Sequence, residues 1–400
     1  MLIRWDEPEA PNMTRIARPA LLFALLTCGC AREKTLLFRV DVPAASSISV
    51  SKDHACVVTR ASEVYCWGDA DFHHFDDFRG MATGRPARVE VGDGARFVHV
   101  ASKRVCSATS DTITCWWREF DKSYVWRRKN LDIQSMTMST SASCWIDTLG
   151  VASCEGFFDW REPWSADPNY YLPQTLAAPG PLVGLGIGSG SVSPTSGCMV
   201  GSQGWVRCWG TNEAGQLGER SFARSDEQHA LEVPSLAGAV EVSVGESHAC
   251  ARLLDGIVVC WGANHGGQSD GIGAAPTIPP TRVEGVSGAR QIRLTSFRSC
   301  AVVEGGQVAC WGTDPSRRDM PWGVAPTLVP GLDDVVDLAL SNWFMCAVRS
   351  EGDVVCRGRG SEFLRPVLGD VEAVDGEVWH VGLLPAFAGP WAGSLATTLQ

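Results

Sequence analysis

The sequence predicts an all-β chain built from seven copies of one four-stranded unit, and three observations carry that reading. Cysteines recur in pairs at a fixed short spacing, and apolar, strand-like runs flank each pair. The first cysteines of successive pairs lie 50, 38, 54, 52, 50 and 46 residues apart along a chain of 400 residues. A period near fifty is that of propeller blades, and a unit of that size covers both its faces only by stacking on its neighbours.

The clearest unit runs from Val240 to Gly262, VEVSVGESHACARLLDGIVVCWG. Cys250 and Cys260 flank Leu254-Asp255-Gly256, with apolar residues on both sides, which is the pattern of a β-hairpin. A three-residue loop of this kind needs a left-handed residue at its third position, and Gly256 sits there. That register pairs Arg252 with Val258 and sets Cys250 opposite Cys260. Directly opposed β-carbons lie about 4.5–5.5 Å apart, within reach of a cross-strand disulfide.

The same spacing separates Cys56 from Cys66, Cys144 from Cys154, Cys198 from Cys208, Cys300 from Cys310 and Cys346 from Cys356, while Cys106 and Cys115 are one residue closer. Gly150, Gly204, Gly306 and Gly352 fall at the Gly256 position, with Ser62 in the first unit; the shorter loop at Ser110-Asp111 suits a two-residue turn. After the second cysteine comes Trp67-Gly68, Trp209-Gly210, Trp261-Gly262 or Trp311-Gly312, with weaker copies at Trp116, Glu155-Gly156 and Arg357-Gly358. A Trp repeated at one position in successive units is expected in the packing between sheets.

A net charge of -11 and a pI near 5.2 exclude a general nucleic-acid surface, which needs a basic face. The sixteen cysteines divide into seven hairpin pairs and two near the start, so regular a pairing that an oxidising compartment is expected. Zinc is the rival reading, but the pairs lack C-x-x-C spacing and lie across hairpins. No metal and no cofactor is expected.

Residues 1–30 read as a signal segment whose natural start is either Met1 or Met13. Arg15 and Arg18 precede a short apolar run, Pro19 to Thr27, too short to span a bilayer but suited to a secretory signal. Its end, Thr27-Cys28-Gly29-Cys30, resembles the lipobox of bacterial lipoproteins, which implies lipidation at Cys30, preceded by Gly29. Thr27 stands where that family usually has Leu, so Cys28 or ordinary signal cleavage remain the alternatives. Residues 31–35 are then a short tether, 36–384 the propeller and 385–400 a tail.

Along the repeat region, Leu36 to Val42 is a strand candidate similar to Thr281 to Val286, an outer strand separated from its own unit. Short Pro-flanked strands such as Pro86 to Val91 and Pro326 to Val329 alternate with apolar strands such as Phe97 to Val100 and Val335 to Leu340, giving four strands per unit. Residues 117–135 and 155–182 break the pattern and are expected to carry irregular loops. Val371 to Leu384 echoes the start of a unit, and the expectation is that it shares the ring-closing blade with Leu36 to Val42.

The run Cys208-Trp209-Gly210-Thr211-Asn212-Glu213-Ala214-Gly215-Gln216-Leu217-Gly218, with His248-Ala249-Cys250-Ala251 and Ala263 to Gln268, resembles the regulator of chromosome condensation repeat family. The units around Cys198 and Cys250 carry that resemblance best, and it implies a seven-bladed β-propeller over residues 36–384. The family's eukaryotic founder is a nuclear exchange factor that also binds chromatin, an activity that an exported acidic chain does not inherit; another relative is a secreted protein inhibitor of an enzyme.

His73, His74, Asp76 and Asp77 are metal-binding types, but they occupy a loop where better repeats carry Gly-Gln-Leu-Gly, so a degenerate loop is the reading. His54 and His248 lie two residues before a hairpin cysteine and should sit inside a blade, with no Ser or Cys nucleophile beside them. Gly184 to Gly190 lacks the strand-to-helix context of a phosphate loop. Trp126, Arg127 and Arg128, with Trp160, Trp164, Tyr170 and Tyr171, are the candidate contact residues, because aromatic and Arg side chains concentrate binding energy. The function expected is a non-enzymatic exported scaffold, monomeric, held in the cell envelope by a lipid and binding a protein partner. An enzyme with a site in the channel, a structural surface protein and a secreted inhibitor are the alternatives.

Overall fold

The computed structural model describes residues 36–358 except 52–53, 69–85, 90–92, 102–103, 120–121, 140–141, 157–173, 189–195, 220–224, 226–228, 314–324 and 343. Its strands fall into seven four-stranded antiparallel sheets, the blades of one propeller. Blade 1 contains β2 (Ala45–Val50), β3 (His54–Thr59), β4 (Val64–Gly68) and β5 (Ala87–Val89). Blade 2 contains β6 (Phe97–Ala101), β7 (Arg104–Ala108), β8 (Ile113–Glu119) and β9 (Lys122–Arg128). Blade 3 contains β10 (Ile133–Met138), β11 (Ala142–Asp147), β12 (Ala152–Gly156) and β13 (Gln174–Thr175). Blade 4 contains β14 (Leu182–Ile187), β15 (Gly197–Gly201), β16 (Val206–Trp209) and β17 (Leu231–Glu232). Blade 5 contains β18 (Ala239–Val244), β19 (His248–Leu253), β20 (Val258–Ala263) and β21 (Thr277–Arg282). Blade 6 contains β22 (Gln291–Leu294), β23 (Ser299–Val302), β24 (Val308–Trp311) and β25 (Thr327–Leu328).

Blade 7 closes the ring. It takes β26 (Val335–Leu340), β27 (Phe344–Arg349) and β28 (Val354–Gly358) from the end of the repeat region, and β1 (Leu36–Val40) from its start. Leu36 pairs with Gly358 and Val40 with Val354, so a strand from the start of the repeat region fills the outer place of the last blade and joins the first blade to the last. The blade has its four strands without residues 371–384, which lie outside the described residues, as do 385–400. The likeness of Leu36 to Val42 to Thr281 to Val286 holds only in part, because the outer strand of blade 5 begins earlier, at Thr277.

The local geometry follows from the hairpin register. Arg252 pairs with Val258 and Cys250 with Cys260, and the other six cysteine pairs face each other in the same way. All seven are disulfides with Cα atoms 4.0–4.1 Å apart. Gly256 has φ 79° and its N–H donates to Leu253 O at 2.9 Å, the left-handed turn position that the sequence requires; Ser62 adopts φ 60° at the same place. In blade 2 the turn is closed by Thr109 N–H to Thr112 O at 2.9 Å, with Thr109 Oγ1 accepting from Thr112 N–H at 3.0 Å.

The core is a ring of interblade layers. Trp261 of blade 5 packs in one cluster with Cys198 and Cys208 of blade 4, and Trp311 of blade 6 with Cys250 and Cys260 of blade 5. Trp209 lies with Cys144 and Cys154, Trp116 with Cys56 and Cys66, and Trp67 with Cys346 and Cys356. Each indole therefore covers the disulfide of the preceding blade, a flat apolar surface on a flat apolar cross-link. Two blades depart from this. In blade 3 Glu155 occupies the Trp position and Trp145, on the neighbouring strand, covers Cys106 and Cys115. In blade 7 Met345 and Val355 take over against Cys300 and Cys310.

Candidate functional site

Two places are candidates, the central channel and the outer strand of blade 2. The inner strands of all seven blades enclose a channel of about 860 Å³. Its wall is stitched from blade to blade by side chains that accept a neighbour's backbone N–H. Glu241 Oε1 accepts from Ile292 N–H at 3.2 Å, Gln291 Oε1 from Leu338 N–H at 2.9 Å, Asp337 Oδ2 from Ile48 N–H at 2.8 Å and Ser49 Oγ from Val100 N–H at 2.9 Å. The two acids are also neutralised: Arg252 Nε lies 2.8 Å from Glu241, and Arg293 lies 3.1 Å from Glu241 and 3.4 Å from Asp337.

Between blades 4 and 5 the stitch is made by glycine. A Cβ on Gly186 would lie 3.0 Å from Val242 O, and one on Gly188 2.2 Å from Gly245 O. The Gly-rich run from Gly184 thus lets two inner strands approach, and it lines the channel. The imidazole of His99 in the channel wall is lowered to about 4 by burial and then by the Arg293 charge, against a hydrogen bond to the Met136 backbone. It is neutral at physiological pH. The channel's charges are tied to each other and to the ring, an arrangement that holds blades in register.

The buried polar residues of the repeat do the same. His54 and His248 are buried as expected, but His248 does have a hydroxyl beside it: Nε2 lies 2.9 Å from Ser299 Oγ on the next blade. Ser299 donates to Gln268 O at 2.8 Å, so His248 Nε2–H donates to Ser299, and burial holds the imidazole down at about 3. With both residues fully buried, the pair is an interblade tie. The loop after β20 folds on itself: Asn264 Oδ1 accepts from Ser269 N–H at 3.1 Å, Gln268 Oε1 from Gly266 N–H at 2.9 Å. Trp261 Nε1 donates to Gln216 O of blade 4 at 2.9 Å, which joins the Trp-Gly and Gly-Gln-Leu-Gly motifs physically.

Blade 2 is different. Residues 117–135 were expected to be irregular, yet they supply β9, a seven-residue strand registered on β8 from Glu119↔Lys122 to Ile113↔Arg128. The alternating, aromatic and β-branched run Tyr124-Val125-Trp126 is a strand signal that the repeat comparison hid, because only two residues join β8 to β9. Trp126 and Arg128 are half-buried, with the guanidinium 5.7 Å from the indole centroid, while Arg127 and Lys129 are exposed and Val125 is 49% exposed.

At the interface of blades 2 and 3, Glu155 lies 3.7 Å from Arg104, whose guanidinium also sits 5.8 Å from the Trp117 ring. Burial raises the Glu155 carboxyl to about 7 against the pull of Arg104 and Arg128, and burial lowers Arg104. Desolvation outweighs attraction in this pair.

Trp160, Trp164, Tyr170 and Tyr171, the stretch with His73, His74, Asp76 and Asp77, and Cys28 and Cys30 all lie outside the described residues. Among the described residues no group of three His, Cys, Asp or Glu is placed to hold a metal, and no helix is long and apolar enough to cross a membrane.

Fold and ties together define a seven-bladed β-propeller with a disulfide hairpin in every blade. Two stretches, residues 45–73 and 239–268, match the Regulator of chromosome condensation (RCC1) repeat. They cover the first three strands of blades 1 and 5; the unit around Cys198, whose motif looked close, is not in the match. Among solved structures the chain is similar to human WBSCR16, with TM-score 0.60 and 13% identity over 81% of this chain and 89% of that one. It is also similar to Prp20p from Saccharomyces cerevisiae, with TM-score 0.58 and 14% identity over 78% and 81%. At these identities the likeness is one of fold.

Proposed function

We infer that the protein is a non-enzymatic scaffold that binds another protein, exported and held in the cell envelope by lipid on Cys30. The observation that carries the binding reading is the contrast in polar groups. Around Glu241, Asp337 and His248 they are tied to the ring, whereas β9 offers Val125 and Arg127 to solvent, with Lys129 exposed just past its end. Aromatic and Arg side chains on a rigid strand lose little freedom on contact, which favours binding. Prp20p, similar in fold, has binding properties to Gsp1p and histones, an example of such a ring used on proteins. Seven disulfides suit an oxidising compartment, which supports export.

The test is cross-linking capture of cell-surface proteins by the wild type and by Trp126→Ala/Arg127→Ala/Arg128→Ala. Proteins lost from the variant's set support contact at β9, and identical sets refute it. Anchoring is checked separately: Cys30→Ser should leave the protein unlipidated and released from membranes, and unchanged membrane retention would refute the anchor.

A further inference from the structure

Six of the seven outer strands are short, interrupted or used for closure. β5 has three residues, and β13, β17 and β25 have two each. β21 contains Pro279 and Pro280, which have no N–H to offer, and β1 closes the ring. β9 alone combines seven consecutive residues, no proline and, among the described residues, no strand on its outer side. Such an edge is a template for another strand unless something guards it.

The register states which groups face outward. Cys106 and Cys115 lie 4.1 Å apart at Cα, the close spacing of a non-hydrogen-bonded rung, so the backbone of Cys115 bonds toward β9 and its partner Trp126 bonds back. The N–H and C=O groups of the intervening residues, Val125 and Arg127, therefore point away from the blade. The guard on this edge is charge. Arg127 on the strand and Lys129 just past its end are exposed, a local basic spot on a chain of net charge -11, while Arg128 lies half-buried over Trp126. The spot repels the same edge of a second copy and attracts an acidic strand, whose alternate side chains would meet Val125 and Arg127.

We propose that β9 is a docking edge that takes an extended acidic segment of another protein as a fifth strand of blade 2. This rests on the reading of the protein as a binding scaffold and names its partner's chemistry.

The probe is a fluorescent nine-residue peptide of alternating Glu and Val, titrated into the full chain and followed by polarisation. It should bind, with affinity falling as salt rises. Methylating the peptide's alternate backbone nitrogens should weaken it about tenfold or more, because the outward carbonyls lose their donors. Arg127→Glu/Lys129→Glu should abolish binding, and Val125→Pro, checked for an unchanged melting curve, should act like peptide methylation. A Lys-Val peptide should not bind. Absence of Glu-Val binding, or equal binding by the methylated peptide, would overturn strand addition. The scaffold reading fails by a different result, identical capture sets for wild type and the triple alanine variant. If capture depends on Trp126 and Arg127 while the peptide fails, the contact is by side chains and the strand-addition proposal is wrong.

Discussion

Blades 5 and 2 have the same four-stranded plan and disulfide, yet they spend their residues in opposite directions. In blade 5 the Trp covers a neighbour's disulfide, His248 ties to Ser299, Asn264 and Gln268 fold the loop, and prolines blunt the outer strand. In blade 2 the hairpin loop is one residue shorter, β8 turns into β9 after two residues, and the outer strand runs long with Val125 and Arg127 exposed. A regular repeat consumes its polar groups in holding the ring, and a departure from the repeat leaves groups over. The irregular blade is therefore the place to look for function.

The largest test of this contrast is in the Trp layer. Trp261→Ala opens a cavity between blades 4 and 5 and should cost about 3–5 kcal/mol, whereas Arg127→Ala on the exposed side of β9 should cost less than about 1 kcal/mol in denaturant unfolding. Equal losses would mean that β9 is as structural as the core.

Replacing Cys250 and Cys260 together by Ala should lower stability by about 3 kcal/mol, the chain-entropy value for a loop of this size. The Cys106/Cys115 pair should cost a similar amount, since its loop differs by one residue. A much smaller loss in blade 2 would show that the β8–β9 hairpin holds that blade without its cross-link.

The Arg104–Glu155 pair between blades 2 and 3 should act against stability at neutral pH. Because the folded protein holds the Glu155 proton up to about 7 while an ordinary Glu releases it near 4.5, the stability this group gives in acid is lost as pH rises through that window. Arg104→Met/Glu155→Leu should raise stability by about 1–4 kcal/mol at pH 8 and flatten the melting temperature between pH 4.5 and 7. A destabilised double variant would mean that the pair positions blade 3 in a way that apolar packing cannot.

The smallest effect concerns turns. Gly256→Ala should cost about 1–2 kcal/mol, from its left-handed backbone and from a Cβ only 2.8 Å from Gly288 Cα. Asp111→Ala, in a turn without positive φ, should cost about 0.5 kcal/mol or less, and differential scanning calorimetry separates the two.

The hairpins, their disulfides and their number can be read directly from the residues. Gly256 at the third loop position, the ten-residue cysteine spacing and strand alternation are local, so each unit states its own register. The repeat likewise places Trp67, Trp209, Trp261 and Trp311 in the core, since a repeated position meets a repeated neighbour. Tertiary structure decided what the period could not express. That β1 completes blade 7 depends on contacts between residues at opposite ends of the repeat region. That Trp145 replaces the Trp missing at Glu155 depends on the disulfide of blade 2, and that Gly186 and Gly188 let two blades close up depends on the backbone of blade 5 at Val242 and Gly245. The site followed the same division. Trp126, Arg127 and Arg128 were legible as outliers of composition, but their place on a seven-residue strand that is the outermost of its blade among the described residues was not. An outer strand's length is set by its pairing with the third strand and by how soon the chain turns back, and a repeat pattern read elsewhere in the chain carries no information about either.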